Sequence, residues 1–167
     1  EKKDGDMDSR DILTIKGLIR RGEARTASSY NNIPLDRVHF LDLPFYETGK
    51  IQKNPISEAD VEIVRNLLRE IKPHQIFVAG DLADPHGTHR VCTDAVFAAV
   101  DLEKEEGAKW LKDCRIWMYR GAWAEWEIEN IEMAVPISPE ELRAKRNSIL
   151  KHQSQMESAP FLGNDER

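Results

Sequence analysis

Seven residues concentrate the reactive side chains of this sequence: Asp84-Pro85-His86-Gly87-Thr88-His89-Arg90. Histidine changes charge nearest neutrality, so it serves readily as acid, base or metal ligand. Two histidines three apart at a helix entrance can face one point on the same side of its first turn. In that arrangement His89 ligates a metal such as zinc, while His86 donates a proton or stabilises a developing oxyanion. Asp84 stands close enough in sequence to orient an imidazole. The same residues admit a plainer reading, in which Asp84 caps the helix, Pro85 fills its first turn and the histidines are polar surface. A catalytic zinc takes about three protein ligands, and two histidines in this loop do not complete one.

Other groups could touch a substrate. Arg20, Arg21 and Glu23 form a compact charged cluster whose guanidinium forks could hold an anionic or hydroxylated molecule. A solvated helix face would show the same residues. Trp123 and Trp126, with Tyr119 and Arg120, could line a sugar-stacking wall, or be core or interface, since aromatic side chains carry large burial energies. His152-Gln153-Ser154-Gln155 either lines a site or frays from the end of a helix. His39 and His74 are assigned structural roles.

The elements that must position these groups follow from hydrophobic spacing. Ile12, Leu13, Ile15, Leu18 and Ile19 predict a helix capped by Asp8 or Ser9 and running to about Tyr30, with a break at Asn31-Asn32-Ile33-Pro34. Val38 to Leu43 predicts a strand ended by Pro44, and Phe45 to Pro55 a loop. Ser57 caps a helix with the apolar stripe Val61, Val64, Leu67, Leu68 and Ile71, ended by Pro73. Gln75 to Ala79 is a nearly all-apolar strand of the kind buried in parallel sheets. A helix carrying Val91, Ala95, Ala98, Ala99 and Leu102 follows, closed by the charged turn Glu103 to Gly107. Cys114 to Tyr119 and Ile131 to Ile137 predict two more strands. Ser138-Pro139-Glu140-Glu141 is a helix start with a capping box, and the last helix runs to about Gln153. Alternating helices and strands predict an α/β fold with a mainly parallel sheet. The reactive loop lies beyond the carboxyl end of one strand, where open α/β sheets bind ligands.

The bulk numbers narrow the partners. The chain has 167 residues and a formal net charge of -6, against nucleic acid or an anionic membrane as main partner. No apolar run is long enough for a bilayer. Cys92 and Cys114 form no CxxC pair, which fits a reducing cytosol and a cytoplasmic protein. No Gly-rich phosphate loop follows a strand, which disfavours a nucleotide-binding domain. The polar start at Glu1 and the polar end at Arg167 lead to the expectation of one domain, 1–167, cut from a longer protein.

Read together, these motifs resemble the PIG-L/LmbE-like family of N-acetylglucosaminyl deacetylases. Asp84 to Arg90 is similar to that family's Asp-x-His-Pro-Asp-His-Arg motif, and Arg20, Glu23 and Ala24 to its Arg-x-x-Glu-Ala helix. Phe40-Leu41-Asp42-Leu43-Pro44 resembles the strand that follows that helix. Ile71-Lys72-Pro73 also fits, and His152 to Gln155 resembles its late His-x-Ser-Gln. The chain as a whole, and especially its segment Trp117 to Trp126, more closely resembles a bacterial branch in which the domain lies C-terminal to a glucosamine-6-phosphate deaminase-like domain.

The resemblance implies a Rossmann-like three-layer sandwich and a zinc-dependent hydrolysis of an N-acetylated amino sugar. Carried over by position, His89 is a metal ligand. His86 stabilises the oxyanion or protonates the leaving amine, Asp84 orients the loop, Arg20 touches substrate and His152 supports the pocket. Gly87-Thr88 departs from the family's Pro-Asp, removing a carboxylate. The family's first motif, Ala-His-Pro-Asp-Asp, which brings two metal ligands and the general base, is not in the chain. It is expected on a first strand before Glu1, so the zinc site is incomplete in this chain. A contrasting expectation from the same residues is a catalytically silent sugar-binding or regulatory domain attached to a deaminase. An oligomer is compatible with either.

Overall fold

The computed structural model describes residues 8–46, 53–80, 82, 87–120 and 126–158. Helix α1, Arg10–Tyr30, opens at Ser9, whose hydroxyl accepts the Ile12 N–H. Asn31 closes it, its side-chain amide donating to the Ala27 carbonyl. A 3₁₀ turn, Leu35–Arg37, follows. The strand expected over Val38 to Leu43 does not form; that segment is irregular. Asp42 has φ 51°, in the left-handed region that an extended strand does not contain, and Pro44 has no N–H for a ladder. Leu41 and Leu43 nevertheless pack inward on the core.

Helix α2, Glu58–Ile71, begins with a full capping box: Ser57 accepts from the Asp60 N–H, and the Asp60 carboxylate accepts from the Ser57 N–H. Lys72 ends it in the left-handed conformation, and Pro73 prevents its continuation. Strand β1, Gln75–Ala79, matches its expected bounds. Helix α3, Thr88–Glu105, starts at Gly87, which has φ 68° and gives no side-chain cap. His89 lies on this helix; the reading of Asp84 as its cap, with Pro85 in the first turn and His86 beside it, falls on residues outside those described. After a 3₁₀ turn, Lys109–Asp113, strand β2, Arg115–Tyr119, lies parallel to β1 in the register Gln75↔Arg115 to Ala79↔Tyr119.

Ile131 to Ile137 is irregular, where alternation predicted a strand. Ile131, Met133, Val135 and Ile137 are all exposed, so no buried face fixes a register. Helix α4, Pro139–Ile149, has the expected capping box between Ser138 and Glu141. It stops short of Gln153, and a 3₁₀ turn, Gln153–Ser158, takes over.

The chain is thus mixed α/β, with helices and a short parallel two-stranded sheet. It divides into two compact units, Glu1–Phe40 with Ala134–Arg167, and Leu41–Met133. In the second unit the core is Val64 and Leu68 of α2 against Ala95 and Ala99 of α3, with Leu41, Leu43, Ile76 and Trp110 packed around it. Two fully buried alanines let the helices approach closely. Burying Val64 and Leu68 contributes roughly 1.5–3 kcal/mol each. Beside this contact lies a buried charge network. Glu103 accepts from Arg65 Nε at 2.7 Å and from Arg69 Nε at 2.6 Å, and Glu106 pairs with both arginines.

Candidate active-site residues

The first unit joins two sequence motifs that lie 131 residues apart. Glu23, on the fourth turn of α1, accepts two hydrogen bonds from Ser154, one from its N–H at 2.6 Å and one from its hydroxyl at 2.7 Å. Both carboxylate oxygens are therefore engaged by one residue. These bonds, the hydroxyl first, hold the Glu23 carboxyl below the usual carboxylate range, and the charges of His152 and Arg20 act in the same direction. Arg20 is exposed, one helical turn before Glu23, and His152 is half-buried. Thus Arg20, Glu23, His152 and Ser154 form one electrostatically connected group, with a cationic side chain reaching solvent. Further along α1, Asn31 donates to Ser148 Oγ at 2.7 Å and Asn147 donates to the Tyr30 hydroxyl at 3.2 Å, so α4 is pinned to the same helix.

The sequence singled out Arg20 and His152 as substrate contacts. It did not show that Glu23 would be the acceptor for the late segment. A carboxylate one turn after Arg20 and a serine two residues after His152 were the available signals.

In the second unit, His89 is the second residue of α3 and is exposed. Four residues on, the buried Thr93 donates its hydroxyl to the Ala79 carbonyl at 2.9 Å. Residues four apart share one side of a helix, so His89 lies on the side of α3 that meets the carboxyl end of β1. Asp84, His86 and Trp123 lie outside the described residues. Among the described residues no three His, Cys, Asp or Glu side chains gather at metal-ligand range, so these residues do not by themselves fit a zinc ion.

Gly80 follows β1 and continues its ladder, donating to the Tyr119 carbonyl at 2.8 Å. A Cβ at this glycine would stand 2.6 Å from Trp126 Cζ2, 2.8 Å from the Tyr119 oxygen and 3.2 Å from Met118 Cβ. Trp126 thus lies on bare backbone at the strand end. Of the aromatic cluster read from the sequence, Tyr119 and Trp126 are brought to that end. No helix among the described residues is long and apolar enough to cross a membrane.

The family model PIG-L, described as GlcNAc-PI de-N-acetylase, matches residues 2–100. The match takes in Arg20, Glu23 and the whole segment Asp84 to His89. It ends within α3, so β2 and the His152 segment fall outside it. No solved structure matches the chain.

Proposed function

The chain belongs to the PIG-L family, and we propose on that footing that it is the deacetylase domain of a metal-dependent amidohydrolase. Its substrate is an N-acetylated amino sugar or amino-sugar phosphate. The fold assigned with this reading is a Rossmann-like three-layer sandwich, in one domain over 1–167. The full protein is read as a cytoplasmic fusion with a glucosamine-6-phosphate deaminase-like domain. The observation that carries the reading is the family match over residues 2–100, which spans the Arg20 motif and the His86–His89 loop.

Hydrolysis of an N-acetyl group adds water to the carbonyl carbon and breaks the C–N bond. It then demands stabilisation of the oxyanion and a proton for the departing amine. His86 takes the oxyanion or the proton transfer, and Asp84 holds the loop that carries it. Arg20, whose guanidinium is suited to phosphate and hydroxyl oxygens, binds the sugar or its phosphate. His152 supports that contact, kept in place by the Glu23–Ser154 clamp. His89 is assigned to zinc. Because the described residues do not complete a set of about three ligands, no step is assigned to the metal.

The test is acetate release by the intact protein from N-acetylglucosamine and N-acetylglucosamine 6-phosphate, with and without a chelator. Acetate and free amine should appear in equal amounts and both should cease on chelation. Metal analysis should find about one divalent ion per domain and none bound to His89→Ala. Metal-replete protein that releases no acetate from either sugar refutes the amidohydrolase reading. Equal metal content in the two proteins refutes the assignment of His89.

A further inference from the structure

We propose that Trp126 is the platform on which the pyranose ring of the substrate stacks, with Gly80 as the backbone seat that makes room for it. The proposal rests on the amino-sugar reading above and names the group that recognises the ring.

Three observations support it. First, Gly80 is the sole residue type that fits at its position. Its missing side chain would collide with Trp126 Cζ2 at 2.6 Å, with the Tyr119 carbonyl oxygen at 2.8 Å and, less severely, with Met118 Cβ at 3.2 Å. The indole is therefore held against main chain, and its position is set by the strand end. Second, that strand end is the carboxyl end of a parallel pair, where ligands of α/β sheets bind. Gly80 lies one residue beyond Ala79, the residue to which Thr93 ties α3, and His89 is one turn before Thr93. Third, Trp126 is 37% exposed and Tyr119, the last residue of β2, is 53% exposed. Both rings therefore have surface open to a ligand at the strand end.

The chemistry matches one ligand class. A pyranose presents a C–H face that packs on the electron-rich face of an aromatic ring, and tryptophan offers the largest such face. A site that fixes a small polar ligand commonly joins an apolar wall to a few polar groups. The amine left after deacetylation is a cation, which the indole face also attracts.

The experiment is titration calorimetry of the intact protein with N-acetylglucosamine, alongside the kinetics of acetate release. Trp126→Ala should weaken binding about tenfold and Trp126→Phe should retain most of it. In the kinetics KM should rise with little change in kcat, because the platform touches the ring and not the amide. Both variants should melt cooperatively, and the phenylalanine variant keeps the test valid if the alanine variant folds poorly. Sugar binding that is the same in wild type and both variants overturns the platform and leaves the amidohydrolase reading intact. If the wild type fails to bind N-acetylglucosamine yet deacetylates another N-acetylated amino sugar, the platform for this ring also falls. Failure to bind and to release acetate removes both.

Discussion

Replacing Glu103 with alanine removes the charged centre of the α2–α3 contact. Glu103 is 3% exposed and its Oε1 receives both Arg65 Nε at 2.7 Å and Arg69 Nε at 2.6 Å. Breaking a buried ion pair by deleting one partner costs about 3–5 kcal/mol, because a charge is left without compensation. Here the lower end applies. Arg65 retains Glu106 at 2.5 Å and Glu62 at 3.6 Å, and Arg69 also reaches Glu106 and solvent. We therefore expect a loss of about 3 kcal/mol. At roughly 2–4 °C per kcal/mol for a chain of this size, the melting temperature falls by about 6–12 °C. Urea denaturation at pH 7, supported by thermal melting, measures it. Glu103→Gln, which keeps the shape and one acceptor but not the charge, should fall between the two proteins. A loss below about 1 kcal/mol would place the network with ordinary surface ion pairs and refute the reasoning.

Other outcomes follow from the same bonds. Asp60 is fully buried and receives the Phe45 N–H at 2.9 Å as well as the Ser57 N–H and hydroxyl. Asp60→Ala should cost about 2–3 kcal/mol by denaturant titration, and a cost near zero would show that the cap does not hold the Phe45 turn. Acid should destabilise the fold. Burial pushes the Asp60 and Glu103 carboxyls up, but their hydrogen-bond donors more than offset it, and Glu106 is lowered chiefly by its bond to Arg65. With folded values below the unfolded ones, each group's contribution is full above its unfolded value and vanishes as pH falls through the folded one. The urea midpoint should accordingly drop once pH passes below about 4.5, and a midpoint flat from about pH 5 to 3 contradicts this. Ser154→Ala should leave Glu23 with one bond in place of two. Amide exchange at residue 154 should quicken about fivefold, and the KM for the N-acetylated sugar should rise with kcat held. Unchanged exchange would mean that the hydroxyl contributes nothing to the clamp.

What the sequence disclosed depended on whether a signal was local. The caps at Ser9, Ser57 and Ser138 were legible, because capping uses residues within one turn. β1 was legible from five apolar-rich residues between Pro73 and the His loop. The strand at Val38 to Leu43 misled because hydrophobicity does not reveal φ, and Asp42 takes a left-handed value. Ile131 to Ile137 alternates without a face to bury. Glu103 read as a charged last turn, yet it stands at the i+4 spacing of Ala95 and Ala99 and so falls on their buried stripe. An acid on such a stripe, with two arginines four apart on the preceding helix, is a signal that spacing could have supplied. The family motifs at Arg20 and His152 were visible separately. Their connection through Glu23 and Ser154 was not, since nothing local encodes a partner 131 residues away.

That clamp has a consequence for how the polypeptide matures. The unit containing α1 is built from both ends of the sequence, with residues 41–133 forming a unit of their own in between. During synthesis α1 emerges early, carrying exposed Ile12, Ile15, Leu18 and Ile19, long before Ser154 is made. Closing so long a loop from an open chain carries a large entropic penalty, one that grows only slowly with length. In this topology the Arg20–His152 group waits on residues 152–154, while the α2–α3 core is complete in sequence once residues 41–133 have been made. Any truncation that removes residues 150–158 would spare the α2–α3 core and erase that group.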